Sequence, residues 1–227
     1  MTQQAEMFRA RGRKPKPTPE TMVFESRLWR QGAARVAGTD EAGRGPLAGP
    51  VVAAAVVLRK GADPGPIRDS KAMTARQRDR AFTYIHETAL VWSVAVVEAA
   101  EVDRLNVLNA SLLAMRQALD RLRVPLDAVL IDGNQRLPGF LVLQHCIIRG
   151  DRLSACIAAG SILAKVTRDR IMTHYDERFP GYGFAEHKGY GTRRHLAALR
   201  DLGPCPIHRR SYAPVRECLE GLLPFDE

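Results

Sequence analysis

From Val36 to Leu58 the chain carries two apolar runs separated by a short polar loop. Val36 to Thr39 reads as a brief buried strand that ends at Asp40 and Glu41. Val51 to Leu58 reads as a second strand, and its lack of polar alternation predicts cover on both faces. The loop between them is rich in glycine and proline, as an irregular turn requires. Residues 59 to 70 hold two prolines and two glycines and read as a loop. Thr74 with Gln77 fits a capping box and opens a helix, with Phe82, Ile85 and Ala89 at helical spacing. Val91 to Val97 is a valine-rich strand. Leu105, Leu108, Leu112, Met115, Leu119 and Leu122 recur every three or four residues, predicting one amphipathic helix with these positions in the core. Asp127 to Asp132 is a short strand that again ends in a carboxylate. Leu141 to Ile148 is another, leading through Arg149 and Gly150 into Asp151. A helical pattern covers Leu153 to about Tyr175, and two more helices are expected near 192–202 and 212–222. This order predicts an α/β layer: a mixed sheet flanked by helices, with a helical C-terminal segment.

Composition narrows the setting. A chain of 227 residues with 45% hydrophobic content suits one large domain, or one domain with a small appendage. The apolar run at 51–58 is too short to span a membrane. No segment near the start has the apolar core of a secretory signal. Four scattered cysteines without a C-x-x-C pair suggest reduced thiols in a cytoplasmic protein. The net charge of +9 favours a polyanionic partner. Five basic residues and one acid fall within residues 1–18, so residues 1–25 read as a basic disordered arm. Residues 26–227 then form the main domain, its helical C-terminal segment starting at about 180.

The chemistry rests on acids at strand ends. Asp40 with Glu41, and Asp132, follow apolar strands; Asp151 follows a strand and opens a helix. If these strands are neighbours, four carboxylates meet in one small space, where they repel. Divalent cations relieve that repulsion. Oxygen ligands suit Mg²⁺ or Mn²⁺, and two such ions clamp an in-line phosphoryl displacement. Each acid also has a plainer reading: Asp151 as a helix cap, Asp132-Gly133-Asn134 as a turn, Asp40 and Glu41 as solvated loop acids. The pattern Gly43-x-Gly45-x-x-Ala48 is rejected as a dinucleotide site, because it leads into a strand and carries two acids where a pyrophosphate would sit. Residues 182–212 interleave Lys188, Arg193, Arg194, Arg200, Arg209 and Arg210 with Tyr182, Phe184, Tyr190 and Tyr212, which suits phosphate contact and base or sugar stacking. The small Gly43-Arg44-Gly45 loop is able to approach a sugar-phosphate backbone and test for a 2′-hydroxyl.

These residues also match a known pattern. The run Asp-Glu-Ala-Gly-Arg-Gly-Pro-Leu-Ala-Gly-Pro at 40–50 resembles the signature of bacterial ribonuclease HII. So do Asp69-Ser70-Lys71, the run from Leu105 to Met115, Ile131-Asp-Gly-Asn134, Gly150-Asp151, residues 157–169, and His187-Lys-Gly-Tyr-Gly-Thr192. The resemblance implies a ribonuclease H-like fold, with two divalent ions, Mg²⁺ or Mn²⁺, when substrate is bound. It implies endonucleolytic cleavage of RNA in RNA–DNA hybrids, and nicking 5′ to a single ribonucleotide in duplex DNA that leaves 3′-hydroxyl and 5′-phosphate ends. By motif, Asp40, Glu41, Asp132 and Asp151 are the catalytic acids, and the first three are metal ligands. Gly43, Arg44 and Gly45 contact the ribonucleotide junction, and Tyr190 packs on the following sugar. Lys71, Lys165, Lys188 and Thr192 are phosphate contacts. A monomer is the expectation, and a sliding-clamp partner is left open. Ala72-Met73 departs from the family's Lys-Leu, and Gly160 replaces an alanine. Two alternatives remain: another nuclease on the same fold, such as a resolvase, or a catalytically silent nucleic-acid-binding module.

Overall fold

The computed structural model describes residues 22–221. Its centre is a five-stranded sheet built from β1 (Val36–Ala42), β2 (Val51–Val57), β3 (Val91–Val97), β4 (Ala128–Asp132) and β5 (Leu143–Ile147). The strand order is β3-β2-β1-β4-β5. The first three strands form an antiparallel meander, whereas β1–β4 and β4–β5 are parallel. The mixed sheet expected from the apolar pattern is therefore present.

Helices cover both faces. All seven residues of β2 are buried, and alternation divides them between two cores. Val52, Ala54 and Val56 face the long helix α5 (Ala155–Arg178) together with α1 (Val23–Arg30) and α2 (Ala75–Thr88). Val51, Ala53, Ala55 and Val57 face α4 (Val107–Arg121), which follows α3 (Ala99–Leu105). The small side chains of β1 and β2 let α5 lie close. At Gly38 an added Cβ would stand 2.2 Å from the Cys156 carbonyl carbon and 2.3 Å from the Ile157 nitrogen. The C-terminal part is helical, as expected: α6 (Phe184–His187), α7 (Arg193–Leu202) and α8 (Ala213–Leu219). It packs on the far half of α5 through Met172, Tyr182, Phe184 and Ala198.

Four local expectations are corrected. The arm expected over residues 1–25 overlaps α1, because Met22 and Glu25 are buried; the remainder of that arm lies outside the described residues. Glu25 Oε1 accepts from Ser154 Oγ at 2.6 Å and from Cys156 N at 2.9 Å, so α1 pins the start of α5. The single helix expected over 105–122 is two helices, broken at Asn106, whose φ of 65° and ψ of 162° lie far outside the helical region. Its Oδ1 caps α4 by accepting from Asn109 N. The break leaves Leu108 38% exposed rather than in the core. Finally, Asp151 does not cap a helix. It lies in a 3₁₀ turn, Gly150–Arg152, and Ser154 is the N-cap of α5.

Candidate active site

The sheet topology brings the acids together. The parallel register pairs Thr39 of β1 with Ile131 of β4, so the next residues, Asp40 and Asp132, are neighbours at the carboxyl ends of adjacent strands. Glu41 is the next residue of β1. Asp132 pairs with Ile147 of β5, and the chain then turns back so that Gly150 N donates to Asp132 Oδ1 at 2.7 Å. That bond places Asp151 beside the cluster. Asp40, Glu41 and Asp132 line one cavity of about 390 Å³.

Electrostatics in this cleft is unfavourable for three charged carboxylates. Asp40 is 4% exposed. Burial pushes its carboxyl well above the usual range, and the charges of Glu41 and Asp132 push it further, against hydrogen bonds from Ser161 and the Glu41 amide. Glu41 is raised by burial and partly offset by Arg44, whose guanidinium lies 3.3 Å from Oε1. Asp132 is also raised by burial, with the Gly150 amide acting against it. Asp151 is buried and accepts from Lys71 Nζ at 3.3 Å. Burial opposes the lysine's charge, but Asp151, then Asp40 and Asp132, prevail and raise Lys71. Among the described residues no three of the Asp, Glu, His or Cys side chains form a ready metal cage. Each acid is turned instead to a partner of its own.

Around the acids the cavity is lined by Ala42, Gly43, Arg44, Gly45, Ser70, Lys71, Arg78, Ser161, Lys165, Arg168 and Tyr190. Gly43 has φ of +98°, and its missing side chain admits Arg168 Nε, which would stand 2.2 Å from a Cβ there. Gly45 faces Tyr190, whose ring carbon would lie 3.6 Å from an added Cβ. Tyr190 is 47% exposed. Lys165 pairs with Asp169 at 2.6 Å.

Not every expected residue converges. Lys188 lines a neighbouring cavity of about 490 Å³, its Nζ donating to Thr173 Oγ1 and Ala185 O. Thr192 caps α7 by accepting from His195 N. Arg209, Tyr182 and Phe184, grouped by sequence with the basic, aromatic substrate face, are buried. The two rings stack on each other at 5.1 Å, so they are core. Arg194 is paired with Glu186. Residues that the sequence reading passed over include Ser70, Ser161, Arg78 and Arg168. Ser70 Oγ and Ser161 Oγ lie 2.9 Å apart in the buried wall beside Asp40. Both serines sit inside quoted sequence blocks, and only the fold shows that they meet.

Relatives point the same way. The family model for ribonuclease HII matches residues 37–215. The chain is 54% identical over 205 residues to ribonuclease HII of Syntrophotalea carbinolica, covering 90% of this chain and 98% of the relative. It is 53% identical over 203 residues to ribonuclease HII of Geobacter sulfurreducens, covering 89% and 93%. The crystal structure of ribonuclease H2 from Pyrococcus horikoshii superposes with a TM-score of 0.70 at 27% identity, over 83% of this chain and 98% of that one.

Proposed function

The chain belongs to the ribonuclease HII family, and we propose that it hydrolyses RNA in RNA–DNA hybrids and nicks duplex DNA 5′ to a single embedded ribonucleotide, leaving 3′-hydroxyl and 5′-phosphate ends. The observation that carries this reading is one cleft that combines three crowded carboxylates with a glycine-bracketed loop and an exposed tyrosine.

The donor set fits a hard divalent cation. The converging acids offer only carboxylate oxygens, and their burial and mutual repulsion outweigh the partial compensation by Arg44 at Glu41 and by Lys71 at Asp132. Asp40, Glu41 and Asp132 would hold Mg²⁺ or Mn²⁺, with Asp151 joining when substrate brings a second ion. Such ions keep several waters and take substrate phosphate as a ligand, so a closed cage of side chains is not required. Bound there, the ions supply Lewis-acid neutralisation of the scissile phosphate and an activated water.

The chain's own side chains do the rest. Arg44 and Lys71 hold charge balance at Glu41 and Asp151 in the free protein, and both are exposed enough to turn toward phosphate. Gly43, Arg44 and Gly45 present backbone close to the acids, where a ribose 2′-hydroxyl is distinguished from hydrogen. Tyr190, opposite Gly45, offers its ring to the sugar that follows. Lys165 lines the cleft and Lys188 the neighbouring cavity, and the exposed Thr192, two residues after Tyr190, is the third phosphate-contact candidate on this side. Among the described residues no helix is long and apolar enough to cross a membrane.

The test uses a DNA duplex with one embedded ribonucleotide, with Mg²⁺ or Mn²⁺ and again with chelator, beside an all-DNA duplex. Metal-dependent nicking 5′ to the ribonucleotide, with the control intact, is the expected result. Nicking of both duplexes keeps the acid cluster but removes the junction reading. Tight binding without nicking makes the chain a silent binding module.

A further inference from the structure

Beneath the Gly43–Gly45 loop lie two arginines that no part of the proposed chemistry uses. Arg168 is 1% exposed and Arg209 is fully buried. Among the described residues neither guanidinium has a carboxylate within ion-pair distance. Their partners are backbone carbonyls. Arg168 donates to Pro50 O at 2.9 Å, Ala48 O at 3.0 Å and Lys188 O at 2.9 Å. Arg209 donates to Gly43 O at 2.5 Å, Arg44 O at 2.9 Å and Gly49 O at 2.8 and 3.0 Å, and to the Tyr212 hydroxyl at 2.9 Å. The Tyr212 hydroxyl in turn donates to the same Arg44 O at 2.5 Å.

Burying two like charges without an anion is costly, and an apolar core is usually at least as stable. Burial, and then each other's charge, push Arg168 down to about 10, and burial pushes Arg209 down as well. Both stay cationic at neutral pH. What the pair achieves is orientation. In a trans peptide the carbonyl of one residue points opposite to the N–H of the next. Drawing the Gly43 and Arg44 carbonyls inward therefore turns the Arg44 and Gly45 N–H groups outward, toward the cleft. Among the described residues neither N–H has an acceptor within the protein. Arg168 extends the same frame to the loop that bears Tyr190, by holding Lys188 O. Leu47 N donating to Gly189 O at 2.8 Å and Arg209 N donating to Leu47 O at 2.8 Å lock the two loops together.

We infer that Arg168 and Arg209, with Tyr212, are positioning residues: they hold the Gly43–Gly45 backbone so that the Arg44 and Gly45 amides form a preset donor pair for a phosphate or ribose oxygen of the substrate. The inference deepens the proposed function and rests on it. On this reading both arginines act through the loop backbone they hold, although Arg168 also lines the cleft wall. The exposed Arg44 side chain is a separate group from this donor pair.

The experiment compares wild type with Tyr212→Phe, Arg209→Met and Arg209→Lys, on a duplex with one embedded ribonucleotide and on a long RNA–DNA hybrid. KM, kcat and melting temperature are read for each. Tyr212→Phe deletes one hydroxyl and leaves the core packed. It is expected to raise KM on the embedded ribonucleotide several-fold with kcat changed less. Arg209→Met is expected to raise KM by about tenfold or more, the effect of losing a preset orientation, and to narrow the preference between the two substrates. Arg209→Lys restores the charge but not the fork that spans several carbonyls, so it should resemble Arg209→Met. Full recovery of KM by lysine overturns the positioning claim in favour of simple charge. Wild-type KM and preference in both Tyr212→Phe and a folded Arg209→Met, whatever their melting temperatures, overturn the inference altogether. Failure of wild type to cut the ribonucleotide duplex is a different result, and it removes the proposed function itself.

Discussion

The amide of Gly150 donates to Asp132 Oδ1 at 2.7 Å, and this one bond joins the end of β4 to the turn that carries Asp151. A carboxylate and an amide in that position both accept through oxygen, the carboxylate more strongly. Asp132→Asn therefore keeps the bond if its oxygen faces Gly150, and it removes only charge from the cleft. Cleavage of the ribonucleotide duplex is expected to fall by at least about 10²–10³-fold, the loss typical of removing one charge-stabilising group. Binding of the same duplex in chelator should stay within a few-fold of wild type. Turnover near the wild-type level would remove Asp132 from the site.

Asp40 supplies the converse, through stability. Its folded carboxyl is raised well above 3.8, so across that window the folded state binds more protons than the unfolded state. Stability then declines as pH rises through the window, so at neutral pH the Asp40 carboxyl costs the metal-free protein stability. Asp40→Asn should raise the melting temperature of the metal-free protein at pH 7.5 while abolishing cleavage. Millimolar Mg²⁺ or Mn²⁺ should stabilise wild type, because ligands that bind only the folded state add stability, and should do so much less in the variant. Equal metal-induced shifts in the two proteins contradict the ligand assignment.

The acidic frame was legible because its logic is local. Apolar runs ending in Asp40, Asp132 and near Asp151 need only be neighbours in one sheet to converge, and the parallel pairing of β1 with β4 supplies that. Residues defined by long-range contact were not legible. Glu25 sits in a short helix next to a basic, proline-rich stretch, and nothing local shows that its carboxylate is buried against Ser154, 129 residues away. Arg209 looked like one more cation in a basic segment, and only the fold shows its guanidinium turned inward to Gly43 and Gly49. The leucine spacing across Asn106 likewise continued in sequence where the backbone does not.

Close approach of α5 to β1 gives a sharper test of packing. The atoms that a Cβ on Gly38 would strike are backbone atoms of Cys156 and Ile157, which cannot turn aside. Gly38→Ala must separate strand from helix, costing about 3 kcal/mol or more at the upper end of overpacking effects. In a chain of this size that lowers Tm by roughly 6–12 °C. At Gly160 the nearest atoms are Ala54 O at 3.1 Å and Asp40 N at 3.3 Å, a shift of a few tenths of an ångström. The alanine there also gains about 1 kcal/mol of helix propensity, so Gly160→Ala should be close to neutral. Thermal melts of the two variants check the contrast, and equal losses at both positions contradict it.

A histidine cluster gives the pH dependence a second source, of opposite sign. His195 is fully buried and His208 is 2% exposed, and their Nε2 atoms lie 3.1 Å apart. His195 Nδ1 faces Tyr190 O at 2.9 Å and must donate, so its Nε2 accepts from His208 Nε2. His208 Nδ1 then accepts from Cys205 N at 3.0 Å. His187 stacks on His195, Phe184 packs against both His195 and His208, and Tyr182 packs on His208. Every ring nitrogen of the pair is used in the neutral form, and no carboxylate is paired with either ring among the described residues. Burial lowers both to about 4, with the neighbouring rings adding to the effect. A histidine depressed in this way binds a proton in the unfolded state first. Its contribution is complete above about 6.5 and is lost as pH falls toward 4. Between pH 7.5 and 5 the loss is about 2 kcal/mol for one such histidine. Denaturant unfolding at pH 7.5 and pH 5 should show this loss in wild type and a smaller one in His208→Gln. The difference between the two proteins is the quantity to read, because Asp40 and Glu25, both raised by burial, pull the other way in acid. An identical slope in both proteins means that His208 does not stay neutral in the fold.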